Sequence, residues 1–298
     1  MHLASRGIKL PQAVGHEIFG TVAALGPSAT APPLGSPRIV YPWLGCGTCR
    51  RCAQGSDNLC ATQKSLGVMQ HGGMAEYVLV PSSKYLIDAG HVDPSVACTF
   101  GCSGITVLSA IRKVSPLGAE LDPEDAVVLI GAGGLGLSAI SMLRAVGHRR
   151  IVSLDISEEK LEAARQAGAT ATVNSSSADA AKEVLDAAGG PVLAVIDFVN
   201  GSKTSELAYS VLAKGGTMVM VGVMGGELPL SCVGMIFKAA TIMGNNTGTV
   251  AHLQEVAKLA REGKLAAIPI TVVPKDEAND ALMKLRDGKV TGRMVLKY

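Results

Sequence analysis

The feature that most restricts what this chain can fold into is an apolar run that ends in glycines. Val127-Val128-Leu129-Ile130 has the texture of a buried strand, and Gly131-Ala132-Gly133-Gly134-Leu135-Gly136 follows it directly, opening a helical stretch. Each glycine has its own physical use. Gly131 permits the tight turn, Gly133 lets the backbone approach a pyrophosphate, and Gly136 lets the helix pack closely on the sheet. Gly134 and Leu135 begin that helix, whose free N–H groups and positive dipole end suit phosphate oxygens. The next strand pattern, Ile151-Val152-Ser153-Leu154, ends in Asp155. An acid at that point accepts hydrogen bonds from a ribose diol and repels a 2′-phosphate, so the expected cofactor is NAD rather than NADP. Ala126 to Leu143 carries no charge, but its central glycines make it a strand, turn and helix rather than a membrane span.

A second constraint is a cluster of thiols. Cys46, Cys49, Cys52 and Cys60 form C-x2-C-x2-C-x7-C in a glycine-rich loop. Close spacing lets one loop wrap a tetrahedral ion, and four thiolates leave no open position, so a structural zinc is expected. An iron–sulfur cluster is the rival metal. Its C-x2-C-x2-C run is usually followed three residues later by a fourth Cys and Pro, whereas here Ala61 follows a longer gap.

Around these motifs the chain divides. Residues 14–100 are β-rich, with short apolar runs such as Ile39-Val40-Tyr41 and Ala75–Val80 set between Gly and Pro turns. From about residue 103 strands and helices alternate, with strands expected at Ala126–Ile130, Arg150–Asp155, Val192–Phe198 and Thr217–Val223. That succession is the pattern of an α/β doubly wound parallel sheet. A helix over Ala251–Glu262 and a short β-like tail close the chain. With 48% hydrophobic and 17% charged residues the chain is globular, and aromatics at 3% leave its cores to Val, Leu, Ile, Ala and Met. A net charge of +2 without a long basic run excludes a nucleic-acid surface. The opening residues lack the apolar core of a signal peptide, so a cytoplasmic location without membrane attachment is expected.

Taken in order, Gly15-His16-Glu17, the cysteine loop, Gly72-Gly73-Met74-Ala75-Glu76-Tyr77, Cys102-Ser103-Gly104 and the glycine fingerprint resemble the zinc-containing medium-chain alcohol dehydrogenases over essentially the whole chain. The resemblance implies a GroES-like β-rich catalytic domain over 1–103, a Rossmann NAD-binding domain over 104–247 and a return to the catalytic domain over 248–298. It implies NAD-dependent interconversion of alcohols with aldehydes or ketones, zinc acting as a Lewis acid on the substrate oxygen. His16 and Cys102 match ligands of the family's catalytic zinc, and Glu17 matches its adjacent acid. Glu17 as an ion-pair partner of Arg293 is the competing reading. Thr106 should lie near the nicotinamide and Lys160 beside Asp155 at the adenosine ribose. Phe198 and Val199 should close on the cofactor, with Val221, Gly222 and Val223 offering backbone groups to the carboxamide. Asn245 should fall near the nicotinamide ribose, and Arg293 should reach the pyrophosphate. Trp43 is placed at the substrate pocket. Cys98 and Cys232 read as buried thiols. A homodimer or homotetramer is implied, with a small alcohol or carbonyl compound as the other partner.

The family's first zinc-binding cysteine lies in an opening segment, and here the first cysteine is Cys46, already claimed by the loop. The chain is therefore expected to be truncated at its N-terminus, with an incomplete catalytic domain and impaired turnover. Two alternatives stay open: a polyol or threonine dehydrogenase of the same superfamily, and a catalytically silent dinucleotide-binding protein with one structural zinc.

Overall fold

A computed structural model describes residues 11–114 and 121–298. The N-terminal part is built from short strands: Ile18–Thr21 (β1), Pro37–Val40 (β2), Trp43–Leu44 (β3), Lys64–Ser65 (β4) and Leu86–Ile87 (β5). β2 is central and antiparallel to both β1 and β5, and β3 pairs antiparallel with β4. Ile39 and Tyr41 are fully buried there, so the β-branched and aromatic side chains of one short stretch anchor this part of the core. Helices Arg50–Ala53 (α1) and Pro94–Ala97 (α2) are single turns.

Ser103–Val114 (α3) carries the chain into the second part. Ten of its twelve residues are buried, because it is sandwiched between Gly134–Ala145 (α4), the parallel sheet and Val250–Arg261, and a helix covered on every side needs no polar face. The sheet has six strands: Val127–Ile130 (β6), Ile151–Asp155 (β7), Ala171–Asn174 (β8), Val192–Asp197 (β9), Leu212–Met220 (β10) and Thr241–Gly244 (β11). Their spatial order is β11-β10-β9-β6-β7-β8, and every neighbouring pair is parallel. Helices Glu158–Gln166 (α5), Ala180–Ala188 (α6), Ser202–Val211 (α7) and Cys232–Lys238 (α8) make the crossovers after α4. The order reverses between β6 and β9, and a crevice for a ligand opens at the carboxyl ends of the strands at such a point. The chain ends with Val250–Arg261 (α9), Ile270–Pro274 (β12), Ala278–Arg286 (α10) and Arg293–Lys297 (β13), the two strands pairing in parallel.

The doubly wound Rossmann sheet and the GroES-like β-rich part are thus both present. Two expectations change. Ala75–Val80 forms no strand: Val78 and Val80 lean on the core, but Tyr77 and Leu79 stand in solvent and no described strand offers the segment a ladder partner. The strand expected over Thr217–Val223 starts earlier and stops at Met220, since the N–H groups of Val221 and Gly222 both turn to the carbonyl of Asp197. Among the described residues no single helix is long and apolar enough to cross a membrane.

Candidate dinucleotide crevice and metal cage

The glycine turn has the geometry its sequence demands. Gly131 has φ +99°, and its N–H donates to the carbonyl of Leu154 at 2.7 Å, which pins the turn to β7. A Cβ on Gly136 would collide with the carbonyl of Gly131, whereas a Cβ on Gly133 would meet nothing within 4 Å. Gly133 therefore presents open space at the N-terminus of α4, where a pyrophosphate fits. Asp155 sits beside it. One carboxylate oxygen accepts from the N–H of Ala132 at 2.8 Å, the other from Ile156 at 2.8 Å and Ser157 at 3.1 Å. Lys160 is half-buried in the first turn of α5 next to this acid.

Asp197 is the organising residue that the sequence reading missed. It is completely buried at the end of β9. Its carboxylate accepts from the N–H groups of Val199 (2.8 Å) and Asn200 (2.9 Å) and from the Thr204 hydroxyl (3.0 Å). Its carbonyl accepts from Val221 (2.9 Å) and Gly222 (3.1 Å). One residue thus shapes both loops that hold Phe198, Val199, Val221 and Gly222. The available signal was an acid ending an apolar strand, the same signal that identified Asp155. Val223, one residue further, is 81% exposed. Across the crevice Thr106 is buried, and its hydroxyl has no hydrogen-bond partner among the described residues. Asn245 is fully engaged: its amide donates to the Thr106 carbonyl at 3.0 Å, and its oxygen accepts from Ser109 and Lys113, both at 2.9 Å.

His16 follows a segment seated by glycines. Gly15 has φ +89°, and Gly72, Gly73 and Met74 donate their N–H groups to the carbonyls of Ala13, Gly15 and Val14. The His16 ring lies 5.2 Å from that of Trp43, whose Nε1 donates to the Gly101 carbonyl at 3.1 Å. Burial lowers the His16 pKa, Glu17 opposes this, and Arg293 adds to it. Burial also pushes the Cys102 thiol up to about 12, with Glu17 contributing. Glu17 is engaged through both of its oxygens. One of its oxygens accepts from the backbone and hydroxyl of Ser103 at 3.0 and 2.9 Å, and the other is paired with Arg293. In this arrangement Glu17 acts as the ion-pair partner of Arg293, the second of its two expected roles. Among the described residues His16, Glu17 and Cys102 do not form a ligand cluster. Arg293 still reaches the fingerprint, since its side chain covers Gly134. A cavity of about 720 Å³ is lined by Glu17 and Arg293 together with His16, Phe19, Met74 and Leu282. Neither Cys102 nor the fingerprint glycines line it.

The four cysteines do come together, with all their sulfurs within 4.8 Å of one another. Sγ–Sγ separations are 3.5 Å for Cys49–Cys52 and 3.9 Å for Cys46–Cys52 and Cys49–Cys60. A tetrahedron with zinc–sulfur bonds of ~2.3 Å has edges of ~3.8 Å, so the cage fits zinc. N–H groups support the sulfurs, from Cys49 to Cys46 and from Cys46 to Cys60, both at 3.4 Å. The Thr48 hydroxyl and nearby N–H groups hold the Cys46 thiol down to about 5, while burial pushes Cys52 up to about 12. Asp57 lies directly behind, its oxygen accepting from Lys84 at 2.9 Å and Tyr85 at 2.7 Å. Cys98 is buried as expected, its thiol donating to the Ser95 carbonyl, but Cys232 is exposed at the start of α8.

Comparison with known proteins agrees with this geometry. Residues 134–262 match the zinc-binding dehydrogenase family and residues 1–89 the alcohol dehydrogenase GroES-like domain. An NAD-dependent alcohol dehydrogenase of Sulfurisphaera tokodaii is 37% identical over 292 residues, covering 97% of this chain and 83% of the relative. A D-arabinose 1-dehydrogenase (NADP(+)) of Saccharolobus solfataricus is 31% identical over 98% of this chain and 83% of its own. The crystal structure of the alcohol dehydrogenase from Aeropyrum pernix superposes with a TM-score of 0.90 at 30% identity, covering 98% of this chain and 84% of that one.

Proposed function

The chain belongs to the zinc-binding, medium-chain alcohol dehydrogenase family, and from that premise we propose how its residues divide the work of an NAD-dependent alcohol oxidoreductase. When bound, NAD supplies the hydride acceptor and the zinc of the cysteine cage supplies cross-linking of its loop. The observation that carries the reading is Asp155 docked on the glycine turn, beside open space at Gly133. Asp155 and Lys160 hold the adenosine ribose. Gly131, Gly133, Gly134, Leu135 and Gly136 receive the pyrophosphate, with Arg293 as its counter-charge. Thr106, Phe198, Val199, Val221, Gly222, Val223 and Asn245 shape the nicotinamide end, and the unpartnered hydroxyl of Thr106 is available to the cofactor there. His16 and Cys102 face the reacting end, and Glu17 orients Arg293. The catalytic part spans 1–103, the nucleotide-binding part 104–247 and the return 248–298. The substrates are small alcohols and the corresponding carbonyl compounds. One relative is named for NADP; the acid at Asp155 argues for NAD here. The test is titration of NADH and NADPH. NADH should bind more tightly, and Asp155→Ser should narrow the difference. NADPH binding as tight as NADH would sink the assignment.

We also propose a homodimer through the β11 edge. Val223, Met224, Val233, Ile236 and Phe237 are 60–81% exposed and α8 buries none of its residues, and a cluster of exposed apolar side chains of this kind marks an interaction surface. Sedimentation should show a dimer that Phe237→Glu dissociates; an unchanged mass for the variant counts against this surface. A cytoplasmic location accords with seven free thiols, four of them in a cage.

A further inference from the structure

Between the cysteine cage and the nucleotide crevice runs a short segment, Asn245–Gly248, that is fastened along its length. Asn245 is bonded to α3 at both ends of its amide. Asn246 and Asn58 exchange two hydrogen bonds: the Asn58 amide donates to the Asn246 carbonyl at 2.7 Å, and the Asn246 amide donates to the Asn58 carbonyl at 3.3 Å. The Tyr41 hydroxyl donates to the Gly248 carbonyl at 2.7 Å. Gly248 lies so close to α3 that a Cβ would stand 2.5 Å from the carbonyl of Ile105. Within this frame Thr247 has φ +50°. A β-branched residue is strained in that region and stays there only when its neighbours over-determine it. The bonds at Asn246 and Gly248, on either side of it, do so.

The fastening comes from an unexpected quarter. Asn58 belongs to the cysteine loop, two residues before Cys60, and is itself buried. Its amide oxygen, the Thr247 hydroxyl and the Thr106 hydroxyl are all buried and find no hydrogen-bond partner among the described residues. Asn58 and Thr106 are both hydrogen-bonded to the segment that contains Thr247, so the three atoms belong to residues of one strained junction, next to the residues assigned to the nicotinamide.

We propose that Asn58 is a positioning residue for the nicotinamide half of the dinucleotide: through Asn246 it holds Asn245–Gly248 against α3, so the cysteine loop sets the geometry of the cofactor site. This rests on the reading of the crevice as an NAD site. The adenosine half would be held by β6, α4 and β7, whereas the Asn58 hydrogen bonds described above go to Asn246, so the two halves of the ligand should respond differently.

The experiment compares NADH with ADP-ribose, which shares the adenosine diphosphate part and lacks the nicotinamide. Both are titrated calorimetrically against wild type, Asn58→Ala and Asn246→Ala. Loss of the shorter bond in Asn58→Ala should weaken NADH about tenfold, the scale of one net hydrogen bond, and leave ADP-ribose within about twofold. Asn246→Ala alters an exposed side chain and removes only the longer bond, so it should shift NADH in the same direction by a smaller factor and provides the test if Asn58→Ala does not fold. Equal losses for both ligands would make Asn58 merely structural and overturn the proposal, as would no loss for either. A wild type that binds neither ligand overturns the NAD reading and this proposal with it.

Discussion

Replacing Gly133 with alanine separates the folding of the glycine turn from its use. Gly133 has φ −76° and ψ −163°, an extended conformation open to any residue, and its added Cβ would meet no atom within 4 Å. The folded state should accept the methyl group, and the stiffer unfolded chain adds up to about 0.4–1 kcal/mol of stability. The same methyl group occupies the space through which phosphate oxygens reach the N-terminus of α4. Losing one charge-assisted hydrogen bond there costs about 1.5–3 kcal/mol, which is roughly a 10- to 150-fold loss of NADH affinity. Gly136→Ala is the contrasting variant. Its Cβ would run into the Gly131 carbonyl, a backbone atom that cannot rotate away. α4 must then lift from β6, at about 1–3 kcal/mol of stability. Thermal unfolding by circular dichroism and NADH titration by fluorescence measure the two quantities. The reasoning fails if Gly133→Ala melts as early as Gly136→Ala, or if it binds NADH within twofold of wild type.

Cys49→Ser leaves three thiolates at the cage, so zinc content measured by mass spectrometry should fall and the unfolding temperature should drop, because metal-binding energy there is folding energy. Asp57 gives a pH signature. Burial pushes its carboxyl up, but hydrogen bonds from Lys84 and Tyr85, the Lys84 charge and the Gly45 N–H outweigh this and hold it below its ordinary value of 3.8. The ionised acid is thus favoured in the folded state, and its contribution is complete above the unfolded value and lost as pH falls through the folded one. Denaturant titrations should show wild type losing more stability between pH 6 and roughly pH 3 than Asp57→Asn does; identical pH slopes would refute the account. Asp57→Ala should cost about 1–3 kcal/mol at neutral pH, since it leaves the buried Tyr85 hydroxyl without an acceptor.

What the sequence discloses depends on how local its cause is. β6, β7 and β9 are buried on both faces, so they appear as apolar runs, interrupted only by Ser153 in β7, that end at glycines or acids. β8 and β11 are four residues long and half-buried, and Ala171-Thr172-Val173-Asn174 has no pattern strong enough to mark it. The cysteine cage is legible because its ligands lie close together in the chain. The pairing of Glu17 with Arg293 spans 276 residues, so the sequence could offer it only as one of two fates for that acid. Ala75–Val80 has strand composition, but a strand is a property of two segments, and composition describes one. Asn58 and Asn246 are ordinary polar residues until the fold brings them together.

Those long-range ties also bear on the order in which the chain folds. Tyr41 and Gly248 are 207 residues apart, and Asn58 and Asn246 are 188 apart. Register partners on β6 and β7 are separated by only 24 residues. Closing a loop of ~200 residues rather than ~24 costs about 2 kcal/mol more in chain entropy, so the clasps are poor places to begin. Once the parallel sheet exists, most of that intervening chain is already compact and the effective loop is short. The nucleotide-binding half is therefore expected to form first, with the cysteine loop docking onto it afterwards. Trp43, the chain's only tryptophan, lies in the later half, against His16 and Gly101. Its fluorescence should report the packing of that half, while far-ultraviolet ellipticity is dominated by the helices and parallel sheet of the other; coincident refolding phases for the two signals would refute the order.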